Sequence, residues 1–440
     1  MNSRRSFLQR ALALGAGALS LPSLAAAEPS QPPHSGSHRS PRETNHDHAA
    51  DPPVPVITPD IPKLSCTMEG GVKVFHLIAE PVKRELMPGR VIDAWGYNGV
   101  CPGPTIEANR GDRVRIILDN HLPEPTTMHW HGLEIPIGMD GMPYISQQPI
   151  VPGGRFVYEF TLDQDGTFFY HSHGAMQEMI GMTGLFILHP RQAYAPRVDH
   201  DFGLVLQEWA LLPNNSVPNT ANMEFNWLTL NGKVGPATTP LVVRQGSRVR
   251  IRMVNIGMDH HPIHLHGHTF VVTGTEAGRQ PESTWGPGNT VLVGVAQARD
   301  IEFVADNPGD WMIHCHLPHH MMNSMMDLLS DRALSTTPLS QKQAGEQMKL
   351  MMGQGQAMEM APDEARAIAA DADSVPGFPQ DGLMEMQMDQ AVSKGPEFME
   401  LAPGWSAGMQ GMMSLLRIMP PDQYERYLAA KGRSSAGEGR

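Results

Sequence analysis

Four His-x-His pairs stand out in this chain: His129/His131, His171/His173, His264/His266 and His314/His316. On a strand, residues two apart project from the same face, so each pair can present two imidazoles to one place. Eight imidazoles exceed the four ligands of a structural zinc site and suit several clustered metals. The last pair encloses Cys315, with His261 three residues before the third pair, His320 five after the cysteine and Met325 ten after it. A thiolate, two imidazoles and a weak thioether form the blue-copper electron-transfer arrangement. His319 competes with His320, and Met326 with Met325, on local sequence alone.

Short β-type runs must carry these pairs. Residues 113–118 and 156–161 alternate, residues 72–78 form a mostly apolar run, and Leu241–Arg244 and 248–254 repeat the style further on. Gly111-Asp112-Arg113-Val114-Arg115-Ile116 is echoed by Gly246-Ser247-Arg248-Val249-Arg250-Ile251, and a His-x-His pair begins eighteen residues after each first glycine. Gly166 precedes His171 by five, as Gly309 precedes His314. This is a duplicated unit. The expected fold is all-β, two Greek-key β-sandwiches over residues 61–195 and 196–335.

The remainder divides by composition. Residues 1–27 read as a twin-arginine export signal, with Arg4-Arg5, an apolar run to Leu24 and Ala25-Ala26-Ala27 for cleavage. Residues 28–60 read as a Pro/His-rich linker, and 336–440 as a Met-rich C-terminal region with short helices at 341–352 and 362–372. The expected location is the bacterial periplasm, with no membrane span. An oxidising compartment permits a Cys66–Cys101 disulfide. A net charge of −13, from 46 acidic and 33 basic residues, argues against a nucleic-acid partner. Thirty methionines and 21 histidines favour soft-metal chemistry.

The segments Thr127-Met128-His129-Trp130-His131-Gly132-Leu133-Glu134, Tyr170-His171-Ser172-His173, His261-Pro262-Ile263-His264-Leu265-His266-Gly267-His268 and His314-Cys315-His316 resemble the copper signatures of the multicopper oxidase, laccase-like family. The resemblance covers roughly residues 60–330 and implies cupredoxin domains. It implies type 1 copper on Cys315, His261 and His320 with axial Met325, a type 2 copper on His129 and His264, and a type 3 pair on His131, His171, His173, His266, His314 and His316. Asp140 stands where the family has an acid serving the cluster, although an Asp-Gly turn accounts for it equally. The acid that many relatives carry directly after the second type 1 histidine is Met321 here.

The implied reaction is one-electron oxidation of a small reductant, a phenol or Cu(I), coupled to four-electron reduction of O2 to water. Two domains are one fewer than usual in the family, and Ser172 leaves the first without a type 1 thiolate. The chain thus resembles two-domain laccases, which implies a homotrimer with each cluster shared between subunits. Copper nitrite reductase is disfavoured because its type 1 thiolate lies in the first domain. A copper-binding or storage protein accounts for the methionines but not for His-Cys-His joined to three other pairs.

Overall fold

The computed structural model describes residues 52–174, 176–211, 215–221, 225–321 and 388–437. The export signal, most of the linker, both short helices and Met325 with Met326 lie outside these residues.

The first domain contains β1 (Val72–Met87), β2 (Gly103–Asn109), β3 (Arg113–Asn120), β4 (Met128–His131), β5 (Arg155–Thr161), β6 (Gly166–Ser172) and β7 (Thr183–His189). One sheet runs Thr67–Glu69, β1, β3, β5, with Arg90–Tyr97 beside β1; the other runs β2, β7, β6, β4. On β3, Val114, Ile116 and Leu118 are fully buried while the intervening side chains are partly exposed, which is the alternation read from the sequence. They pack with Phe75, Trp130, Tyr158 and Phe186 between the sheets.

The second domain contains β8 (His200–Trp209), β9 (Leu241–Arg244), β10 (Arg248–Asn255), β11 (His261–Leu265), β12 (Phe270–Thr275), β13 (Thr290–Val293), β14 (Ala298–Val304), β15 (Gly309–Cys315) and β16 (Met413–Met419). Its sheets run β8, β10, β14, β12, and β9, β16, β15, β11, β13. The duplication holds in detail. Gly166 and Gly309 open β6 and β15 at φ +145° and +143°, a backbone region that side chains with a Cβ avoid.

Two expected boundaries are corrected. The second domain does not end at 335, because β16 lies between β9 and β15, parallel to the former and antiparallel to the latter. It occupies the place that β7 holds in the first domain, parallel to β2 and antiparallel to β6. All seven of its residues are buried, so it lacks the alternation that marks a half-exposed strand. The helix α1 (Pro421–Gly437) follows, with Tyr427 packed on Val242 and Met419. At the other end, Val56–Ile57 pairs with β8 inside the expected linker. The disulfide does not form: Cys66 is exposed, Cys101 is buried, and both thiols are free.

A buried ionic network joins the domains. Arg252 makes two hydrogen bonds to Asp201 at 2.8 and 2.9 Å and a third to Thr167 Oγ1 at 2.8 Å. Thr167 in turn donates to Asp300 at 2.6 Å. Since Thr167 lies on β6, this network anchors the strand that carries His171.

Candidate metal centre

The antiparallel pairing of β11 with β15 sets Ile263 opposite Cys315 and His264 opposite His314. Neighbouring residues on a strand face opposite ways, so one register serves two centres. On one face, Cys315 Sγ lies 3.4 Å from His320 Nδ1 and 3.7 Å from His261 Nδ1, and the two Nδ1 atoms are 3.1 Å apart. All three residues are buried. A metal bonded at about 2.0 Å to nitrogen and 2.3 Å to sulfur in a trigonal plane separates its donors by about 3.5–3.7 Å. The observed spacings fall within a few tenths of an ångström of that, and a thiolate with two imidazoles is a copper donor set.

The neighbours hold these side chains in ligating form. His261 Nε2 meets Glu208 Oε2 at 3.1 Å, which puts its proton on Nε2 and leaves the Nδ1 lone pair facing Cys315. Glu208 also accepts from the backbone N–H groups of Met258 and Asp259. His320 sits on a 3-10 turn, Pro318–Met321, with its ring buried while His319 is exposed. Burial, reinforced by His261 alongside, lowers His320 to about 4, so its imidazole is neutral. Burial pushes the Cys315 thiol up to about 12, so a thiolate here needs a cation to hold it.

Two histidine sets form the second kind of centre. In the first domain, β4 and β6 pair with His129 opposite His171, and nitrogens of His129, His131 and His171 cluster within 4.8 Å. The His173 ring lies 5.5 Å from that of His129. His129 Nδ1 donates to the Asp140 carbonyl at 2.8 Å and His171 Nδ1 to the Ser172 carbonyl at 3.0 Å. Both Nε2 atoms are thereby left as acceptors, and that of His171 is buried with no hydrogen-bonding partner among the described residues. Burial first, then the charges His171 and His129 would carry, brings His131 down to about 4.

In the second domain, His266 Nε2 and His314 Nε2 face each other at 3.0 Å. The rings of His264 and His316 are 5.5 Å apart. His264 Nδ1 is held by the Asn289 carbonyl and His314 Nδ1 by that of Cys315, both at 2.8 Å. Lone pairs converging without a proton between them fit a bound cation. Among the described residues, no ring contact joins one histidine set to the other.

Ser172 takes the place of Cys315 in the first domain. Its hydroxyl lies 2.6 Å from Gln177 Oε1 and 3.0 Å from Thr126 Oγ1, a closed polar network rather than a ligand set. The sequence reading missed Glu208, Asn289 and Glu178, whose carboxylate lies 3.2 Å from His171 Nδ1. Each is distant in sequence from the histidine it holds or belongs to no copper signature, so only the fold reveals it.

Residues 81–193 and 211–332 each match the profile of a multicopper oxidase domain. Copper resistance protein A of Pseudomonas syringae pv. tomato is 37% identical over 121 residues, 28% of this chain and 20% of that protein. Laccase-2 of Botryotinia fuckeliana is 30% identical over 284 residues, 57% of this chain and 48% of that protein. The blue copper oxidase of Nitrosomonas europaea superposes with a TM-score of 0.52 at 31% identity, covering 57% of this chain and 81% of that structure. The matches thus span between about a fifth and a half of these two curated relatives.

Proposed function

Because the chain belongs to the multicopper oxidase family, we propose that it takes electrons singly from a donor beside His261, Cys315 and His320 and delivers them to dioxygen at the histidine sets. Bound copper, one type 1, one type 2 and two type 3 ions per functional unit, would supply the redox chemistry by which O2 becomes water. One observation carries the reading. Cys315 Sγ turns toward two Nδ1 atoms while the adjacent His314 turns its Nε2 to His266, so a single covalent step along β15 joins the two centres.

The chain's own residues orient and enclose. Glu208 fixes the tautomer of His261, the Asp140 carbonyl that of His129, and the Asn289 carbonyl that of His264. The Asp140 carboxylate, 3.5 Å from His129 Nδ1, is the acid we assign to proton delivery. His131, His173 and His316 complete the type 3 set, His129 and His264 the type 2 pair.

Each chain carries both histidine sets, and among the described residues no ring contact joins them, which favours a cluster built across subunits in a closed homotrimer. The segments after His131 and His173 expose Ile137, Tyr144, Ile145 and Met176, an apolar rim suited to burial against a neighbour's second domain. We assign the protein to the periplasm by its twin-arginine pattern; no helix among the described residues is long and apolar enough to cross a membrane. The name of the copper resistance relative favours Cu(I) as donor, that of the laccase a phenol.

Oxygen uptake by the full-length, copper-loaded protein with Cu(I) or a phenol, together with sedimentation, tests this. Donor-dependent consumption of one O2 per four electrons by a trimer is expected. No uptake with either donor would favour copper storage, and a fully active monomer would rule out a shared cluster.

A further inference from the structure

Building on the proposed type 1 centre, we propose that its axial sulfur is Met412 rather than Met325, and that the intervening methionine-rich segment is spliced into the ligand loop. Linear spacing favours Met325, ten residues after Cys315, just as Met182 follows Ser172 by ten. The sheets point elsewhere. In the first domain, the Ser172 N–H donates to the Met182 carbonyl at 3.0 Å where β6 meets β7. In the second, the Cys315 N–H donates to the Met412 carbonyl at 3.0 Å where β15 meets β16. The ladders agree, with Thr183 opposite His171 and Met413 opposite His314.

Met412 therefore stands opposite Cys315. Directly opposed residues of an antiparallel pair project to the same face, with Cβ atoms about 5 Å apart. Met412 also donates its N–H to the His320 carbonyl at 3.0 Å, so its backbone is tied to both the cysteine and the second histidine. It is fully buried in the same apolar cluster as Cys315 and Ile263. A glycine of positive φ precedes both methionines, Gly181 at +113° and Gly411 at +74°, whereas Ser324 precedes Met325. A connection of ten residues between Ser172 and Thr183 thus becomes one of 97 between Cys315 and Met413.

The test is spectroscopic. Full-length copper-loaded Met412→Leu, Met412→Gln and Met325→Leu are compared with the parent by reduction potential, visible absorption and electron paramagnetic resonance. Removing a thioether donor raises a type 1 potential and a harder amide oxygen lowers it. Met412→Leu is expected to raise the potential, Met412→Gln to lower it, and Met325→Leu to leave potential and spectra unchanged. Copper content and thermal midpoint identify any variant that misfolds, and the Met325→Leu arm stands independently. A potential shift in Met325→Leu overturns the assignment, as does an unchanged potential in correctly folded Met412→Leu. A parent with no thiolate-to-copper absorption would instead defeat the type 1 reading itself.

Discussion

The Glu208 carboxylate meets His261 Nε2 at 3.1 Å with both side chains wholly enclosed. Its other oxygen accepts two backbone N–H groups from the turn before His261. In Glu208→Gln, the amide oxygen is committed to those donors, so the NH2 group faces His261 and forces the proton onto Nδ1. The ring would then present a donor to the copper position. Type 1 copper affinity should fall about 10–100-fold, read by chelator competition against the visible band. An unaltered affinity would show that Glu208 does not set the tautomer.

Subunit contact is tested at the apolar rim. Tyr144 and Ile145 are 76% and 74% exposed in the isolated chain. The double substitution Tyr144→Arg with Ile145→Asp places charges where a neighbour must pack. Sedimentation should report monomers that keep the type 1 absorption but lose at least about 90% of oxygen uptake, since charge burial at an interface costs several kcal/mol. Retention of the trimer with full activity would move the interface elsewhere.

The C-terminal strand sets how the methionine-rich region can be dissected. Ending the chain before Met413 removes β16, whose side chains are all buried. At about 1.5–3 kcal/mol for each of its large apolar side chains, Met413, Leu415, Leu416, Ile418 and Met419, the loss is as large as the ~5–15 kcal/mol that holds a typical domain together. Truncation should therefore yield no cooperative melting of the second domain. Excising residues 340–380 keeps the strand and costs little loop-closure entropy. That deletion should retain the type 1 band, and its Cu(I) and phenol rates then separate the two donors.

Acid sensitivity should centre on Glu302. Burial alone would raise its carboxyl, but Arg250 and Arg279 outweigh burial and lower it from 4.5 to about 2. A carboxyl depressed by folding stabilises the native state above its unfolded pKa and loses that contribution as pH falls through the folded value. The loss should run between about pH 4.5 and 2 and amount to about 3 kcal/mol. Glu302→Gln should flatten this part of the denaturation profile and cost about 3–5 kcal/mol at neutral pH. A profile identical to the parent's would exclude Glu302 as the origin.

What the sequence determined by itself was whatever local spacing encodes. Two residues per strand repeat bring His129 with His131 and His314 with His316 to one face, and a cysteine between histidines names its metal. The glycine-led repeats disclosed the duplication because the same turn must open the same strand twice. What only the tertiary structure decided depended on partners far apart in the chain. Glu208 reaches His261 across 53 positions, and β16 enters its sheet after a long excursion with no alternation to announce it. A strand buried on both faces has no polar side to keep time by. Linear counting from Cys315 therefore stopped at Met325, whereas the hydrogen-bonded ladder continues to Met412.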